Sequence, residues 1–146
     1  MIDKAQTPFN PVHRLAIRVR YHEIDGQGRV HNSQYLNYFE RGRVEMLRDN
    51  GISYRELEET GLMLVVKTMH VDFHLPALFD DELELVTTLQ HCHGARIEHH
   101  YELLRPLSPS SHSVVVSGKS LLACVDREGK VKRLPKSLQI GIGKEH

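Results

Sequence analysis

The chain has no tryptophan, only two cysteines and no excess of either charge. Cys92 and Cys124 do not form a CxxC pair, and they are expected to be reduced strand residues of a cytoplasmic protein. Lys and Arg together number 19, as do Asp and Glu. The balance leaves no field that would gather nucleic acid over the whole surface. No apolar run is long enough to span a bilayer, and Met1–Asn10 lacks the apolar centre of a secretory signal. Also missing are HExxH, GxSxG and GxxxxGK[ST], which removes the common zinc-hydrolase, serine-hydrolase and nucleotide-binding readings. Internal repeats, low-complexity tracts and coiled-coil heptads are absent.

What is present suits one domain. At 146 residues the chain can bury a core without metal or disulfide staples. Leu15, Ile17, Val19 and Tyr21 alternate with Ala16, Arg18 and Arg20, predicting a strand that ends near Tyr21. Gly26 and Gly28 break it, and Asn32 or Ser33 is placed to cap a following helix through its side chain. Tyr35, Tyr38, Phe39, Gly42, Met46 and Leu47 recur at three- and four-residue steps, with Arg41, Glu45, Arg48 and Asp49 on the wet side. This predicts one amphipathic helix running to about Asn50 and stopping at Gly51. Glycine costs about 1 kcal/mol inside a helix, so Gly42 on the buried stripe implies close approach to another backbone.

A short helical piece is expected around Tyr54–Thr60, then four strands: Leu62–Phe73, Glu82–Cys92, Ile97–Arg105 and Val114–Val125. His93–Arg96 and Asp126–Lys130 are turns, and the Pro/Ser-rich stretch Pro106–Ser113 is expected to be a loop. One strand, one long helix and four more strands suggest an α+β domain with an antiparallel sheet curled around the helix. Apolar residues of the sheet's outer face and its edge strands then need cover, which self-association would supply, so a homo-oligomer is expected.

Asp25 stands between the strand end and the helix start, facing first-turn N–H groups. It can be a turn aspartate closing an Asx turn before Gly26, or a seat of chemistry. His31 lies beside the same helix start and is a candidate general base. His91-Cys92-His93 and His99-His100 are expected to be structural or surface residues rather than metal ligands. On a strand, His91 and His93 point to one face and Cys92 to the other.

Three blocks of the chain resemble hotdog-fold acyl-CoA thioesterases of the 4-hydroxybenzoyl-CoA thioesterase type, in particular the bacterial group associated with the Tol-Pal system. They are Val19-Arg20-Tyr21 through Asp25-Gly26-Gln27-Gly28 into Tyr35–Arg41, Val71–Ala77 with Asp80-Asp81, and Cys124-Val125-Asp126 followed by Leu134–Ser137. They span roughly residues 14 to 138 in family order. The resemblance implies a sheet of about five strands wrapped around one central helix, and a dimer or tetramer with active sites at the subunit interface. It implies Asp25 as catalytic carboxylate, the backbone N–H of Asn32 or a neighbour as the donor to the thioester carbonyl, and Glu40 as an acidic residue on the central helix. Many relatives carry Tyr-His where this chain has His31-Asn32.

The implied reaction is hydrolysis of an acyl-CoA to a free acid and coenzyme A, without a metal or other cofactor. A thiolate leaves without compulsory protonation, so a nucleophile or base and donors to the oxyanion suffice. Asp25 can act either by attack, through a mixed anhydride, or by activating water. Lys67, Arg96, Lys119, Lys132 and Arg133 are candidate partners for the phosphates of coenzyme A. Two other readings stay open: a hotdog dehydratase or hydratase using His31, and an acyl-thioester binder without turnover. Peripheral association with a membrane is compatible with the sequence, insertion is not.

Overall fold

The computed structural model describes residues 8–143; most of Met1–Asn10, read above for a signal segment, lies outside the described residues. Strand β1 spans Val12–Arg18, helix α1 Gln34–Asp49, helix α2 Tyr54–Glu59, β2 Leu62–Phe73, β3 Glu82–His93, β4 Arg96–Ser108 and β5 Ser111–Asp126. The strands form one antiparallel sheet in the order β1-β3-β4-β5-β2, which leaves β1 and β2 as edges. Three hairpin-related neighbours sit in the middle, and α1 crosses from one edge strand to the other.

Helix α1 buries Tyr35, Tyr38, Phe39, Gly42, Met46 and Leu47, the stripe that the three- and four-residue spacing marks out. Its 16 residues make a rod about 24 Å long, short enough to lie within the sheet. The C-terminus closes on Gly51, at φ 77°, with Gly51 N–H donating to Arg48 O and Ile52 N–H to Leu47 O. That pair of bonds is a Schellman motif, which satisfies carbonyls the helix would otherwise leave open. A Cβ on Gly42 would stand 2.5 Å from Thr87 Oγ1 and 2.7 Å from Leu85 Cδ2, both on β3. On β5, a Cβ on Gly118 would meet His70 O at 2.8 Å and Phe39 Cε2 at 2.9 Å. The α1 backbone at Gly42 therefore rests on β3 side chains rather than on another backbone as expected, and Phe39 stacks on Tyr101 with ring centres 4.2 Å apart. Each such buried side chain contributes about 1.5–3 kcal/mol.

Four further expectations change. Strand β1 stops at Arg18, and Tyr21 opens a 3-10 turn, Tyr21–Glu23, with its ring 79% exposed against Phe79. The period-two pattern ran on because Val19 is still buried while its N–H has already turned to Asp81 O. Most of Pro106–Ser113 is strand rather than loop: β4 and β5 continue to Ser108 and Ser111, leaving a turn of two residues. Pro106 is tolerated there because β3 pairs with β4 only as far as Leu104, so no neighbour on that side needs its missing N–H. The helix start is not capped by Asn32 or Ser33; Ser33 is the cap residue, but its side chain accepts no amide. Finally, the centre of the outer sheet face is polar, carrying His70, Asp72, Thr88, Gln90, His100, Glu102 and Lys119. Exposed apolar side chains are scattered, from Val12 on β1 to Leu107 on β4, and include Val65, Val66 and Phe73 along the β2 edge and Leu75 just beyond it.

Candidate active site

The loop between β1 and α1 is closed by an Ile24–Val30 bridge, with Asp25 N–H donating to Arg29 O at 2.9 Å and Gly28 N–H to Asp25 O at 3.0 Å. Gly28 sits at φ 78°, a conformation that favours glycine. Asp25 Oδ1 accepts the Gln27 N–H at 2.8 Å, so the Asx turn exists. It leaves Oδ2 without a protein donor among the described residues. The turn and the chemical reading are thus compatible, because one oxygen orients the carboxylate and the other stays available.

Two anchors hold this loop against the body. Val30 N–H donates to Ala77 O at 2.9 Å, tying it to the segment after β2. That segment is itself braced by Asp81, whose Oδ2 accepts from Leu78 N–H and from Arg105, while Arg105 also donates to Pro76 O. The second anchor is Glu23, only 6% exposed, whose Oε1 accepts from Tyr38 Oη at 2.8 Å and Arg20 N–H at 2.7 Å. Burial, then the bond to Glu23, pushes the Tyr38 phenol well above its usual range, so it stays a donor. The Glu23 carbonyl takes the His31 N–H at 3.0 Å and thereby sets where the helix begins.

His31, rather than Asn32 or Ser33, holds the helix start, through its ring and its backbone carbonyl. Its Nδ1 lies 2.8 Å from Ser33 Oγ and accepts the Ser33 N–H at 3.2 Å, and its carbonyl accepts the Gln34 N–H. The Asn32 N–H has no acceptor among the described residues. It lies at the positive end of α1, where about half a positive charge accumulates.

Asp25, Arg29, His31 and Asn32 line an open cleft of about 610 Å³ together with Tyr35, Phe73, His74 and Pro76. Of the residues singled out in the sequence, the structure brings Asp25, His31 and Asn32 together here. Glu40 does not join them; it lies farther along α1, at a second cavity. Nor does it pair with Arg43, which turns inward to donate to Tyr101 Oη at 2.9 Å. None of Lys67, Arg96, Lys119, Lys132 or Arg133 lines the cleft. Arg96 pairs with Glu98, Lys132 with Asp126, and Lys119 stands on the outer sheet face.

Arg29 and His74 are the cleft residues that sequence reasoning missed. Arg29 sits inside the same turn as Asp25, so its position in the Asp25–Val30 run was a usable signal; His74 comes from the far end of β2, and no local pattern links it to the loop. The cysteines are both free and buried. Burial pushes the Cys92 thiol up to about 11 and that of Cys124 in the same direction, so neither is a thiolate nucleophile at neutral pH. The rings of His91 and His93 lie 4.2 Å apart on one side of β3, and the described residues contain no group of three or more His, Cys, Asp or Glu arranged to hold a metal ion. Among those residues no helix is long and apolar enough to cross a membrane.

Residues 19–142 match the thioesterase-like superfamily. The chain belongs to that family. The acyl-CoA thioesterase YbgC of Haemophilus influenzae is 37% identical over 117 residues, covering 80% of this chain and 82% of the relative. The acyl-CoA thioester hydrolase YbgC of Escherichia coli is 30% identical over 126 residues, covering 86% and 91%. Among solved structures, a probable thioesterase from Bartonella henselae superposes with a TM-score of 0.76 at 34% identity, covering 85% of this chain and 99% of that one. The family's hotdog architecture is the sheet and helix described above, and the chain is a thioester hydrolase by family. The matched span includes the Asp25 loop, the α1 start and both anchors of that loop.

Proposed function

We propose that this thioesterase-like protein hydrolyses acyl-CoA thioesters in the Asp25 cleft, with Asp25 as the reacting carboxylate and the Asn32 N–H as the donor to the carbonyl oxygen. The observation that carries this is a half-buried carboxylate with one oriented and one available oxygen, in the same cleft as an unpartnered amide at the positive end of α1. As the carbonyl oxygen gains charge, the amide and helix dipole stabilise it; the thiolate of coenzyme A departs without an acid. Arg29, at the cleft wall, offers a cation to the phosphates of coenzyme A. His31 supports the site by holding the helix start through Nδ1, which Ser33 engages.

The site acts as part of a homodimer built across β2. This strand is a 12-residue edge with exposed Val65 and Val66, a surface that natural proteins cover. Phe73 at its end lines the Asp25 cleft, while Leu64 and Val66 near its start line the second cavity, which also holds Glu40. Antiparallel pairing of β2 with its copy about a two-fold axis brings the cleft of one protomer to the cavity mouth of its partner.

Asp25→Asn tests the assignment. The carbamoyl oxygen keeps the Gln27 N–H bond, so the fold should hold while thiol release from an acyl-CoA panel falls by roughly a thousandfold or more. Full activity would refute it. Single turnover in ¹⁸O-water tests the covalent route: attack by Asp25, with water then opening the anhydride at the aspartyl carbonyl, leaves the first acid unlabelled and puts ¹⁸O into Asp25, whereas direct attack by water labels the acid and leaves Asp25 unlabelled. Conversion of an enoyl-thioester without loss of coenzyme A would instead favour the His31 dehydratase reading.

A further inference from the structure

The second cavity, of about 350 Å³, lies between the C-terminal half of α1 and the sheet. Its wall is mostly apolar, formed by residues such as Val44, Leu47, Leu89, Ile97, Leu122 and Ile140. An apolar protein cavity of about 150 Å³ already accepts benzene, so this one has room for an aromatic ring or a medium acyl chain.

Four polar side chains interrupt the apolar wall, Glu40, Arg43, Tyr54 and His99; Tyr54 Oη is bonded to the Leu64 backbone and Glu40 offers only acceptors, so Arg43 and His99 carry the free donors. His99 on β4 is 5% exposed, and neither ring nitrogen has a hydrogen-bond partner among the described residues, Nδ1 being fully buried. Burial, with a smaller contribution from the Arg43 charge, lowers its pKa to about 3, so the ring is neutral and one nitrogen carries a donor hydrogen. Arg43 spends one N–H on Tyr101 Oη, which in turn lies 2.5 Å from Ser120 Oγ, and its other guanidinium donors have no partner among the described residues. A buried imidazole with no partner costs stability unless something else repays it. The chain thus places donors inside an apolar chamber where packing alone would favour a hydrocarbon side chain.

We propose that this cavity receives the body of the substrate's acyl or aryl group, and that His99 and Arg43 recognise a hydrogen-bond-accepting oxygen, a hydroxyl or keto group, carried on it. The proposal rests on the thioester hydrolase reading for its substrate but not for its ligand chemistry. An oxygen there takes the Arg43 and His99 donors while the apolar wall takes the carbon skeleton. A plain hydrocarbon of the same size leaves both unsatisfied, which a site built around such donors penalises.

The test compares matched pairs on the full chain: hexanoyl-CoA against 6-hydroxyhexanoyl-CoA, and benzoyl-CoA against 4-hydroxybenzoyl-CoA, by kcat/KM for thiol release. The oxygenated member of at least one pair should be favoured roughly tenfold or more, and His99→Phe or Arg43→Met should collapse that ratio toward one. Independently of turnover, 4-ethylphenol should bind roughly tenfold more tightly than ethylbenzene and shift the ¹⁵N resonances of His99, as read by NMR. Equal rates within both pairs, or variants that keep the ratio, overturn the proposal even if every thioester is cleaved. If no thioester is cleaved, the hydrolase reading fails, and the 4-ethylphenol result alone decides the cavity. If the variants do not fold, wild-type discrimination and the His99 shift decide it, and their absence refutes it.

Discussion

Glu23→Ala is the most informative single perturbation of the site's scaffold. The carboxylate is 6% exposed and accepts two bonds, from Tyr38 Oη at 2.8 Å and Arg20 N–H at 2.7 Å. Hydrogen bonds to a charged group contribute about 1.5–3 kcal/mol each, and removing the acceptor leaves the buried Tyr38 hydroxyl without a partner. Relief of carboxylate desolvation offsets part of the loss, so the net destabilisation is about 3 kcal/mol. With an m-value near 2 kcal/mol/M, the urea midpoint should fall by roughly 1.5 M at unchanged slope. Glu23→Gln keeps an acceptor and should cost only about 1 kcal/mol. Tyr38→Phe should interact with Glu23→Ala, the double variant losing about 1 kcal/mol less than the sum of the singles. Because the Glu23 carbonyl also takes the His31 N–H, thiol release should weaken along with stability. A loss below about 1 kcal/mol for Glu23→Ala would refute the idea that this carboxylate holds the loop to the helix.

Gly42→Ala should destabilise the protein by about 1–2 kcal/mol despite a gain in helix propensity of about 1 kcal/mol, because its Cβ would overlap Thr87 and Leu85; a rise in thermal midpoint would contradict the direct helix–sheet contact. For His99 the folded pKa of about 3 lies below the unfolded value of 6.5, so above pH 6.5 the ring is neutral in both states and contributes no pH dependence. Below it the unfolded chain binds a proton that the folded chain refuses, and stability should fall by up to about 1.4 kcal/mol per pH unit down toward pH 3. Unfolding free energies of wild type and His99→Phe measured between pH 7 and 4.5 should diverge accordingly, and parallel curves would count against a buried neutral ring. Val66→Lys, which puts a charge on the exposed β2 edge, should convert a dimer to monomer in sedimentation velocity; an unchanged species would place the interface elsewhere.

The elements were legible where periodicity is strong. Helix α1 and its buried face follow from spacing alone, since six apolar or small residues at three- and four-residue steps admit no other regular structure. β2 matches its expected bounds, and Gly42 does mark a close approach to the sheet, but to the Thr87 and Leu85 side chains rather than to the expected backbone. Patterns failed where local residues serve a distant partner. Tyr21 kept the strand period after the backbone had turned away, and Pro106 looked like a loop residue because the end of β3 cannot be seen from β4. No side chain caps the first turn of α1, because the His31 carbonyl takes the Gln34 N–H and the His31 ring takes the amide of Ser33, one residue before that turn.

From the sequence by itself came the α+β class, the long helix and its close approach to the sheet at Gly42, because these depend on periodicity and on the absence of a side chain; Asp25 was a candidate through the resemblance of the surrounding motifs. Tertiary structure alone decided that His74 shares the cleft with Asp25, that Glu40 lies at another cavity, and that His99 is buried without a partner among the described residues. Each of those facts depends on which strand ends up beside which, and the antiparallel sheet brings together residues far apart along the chain, a relation that short-range spacing does not encode.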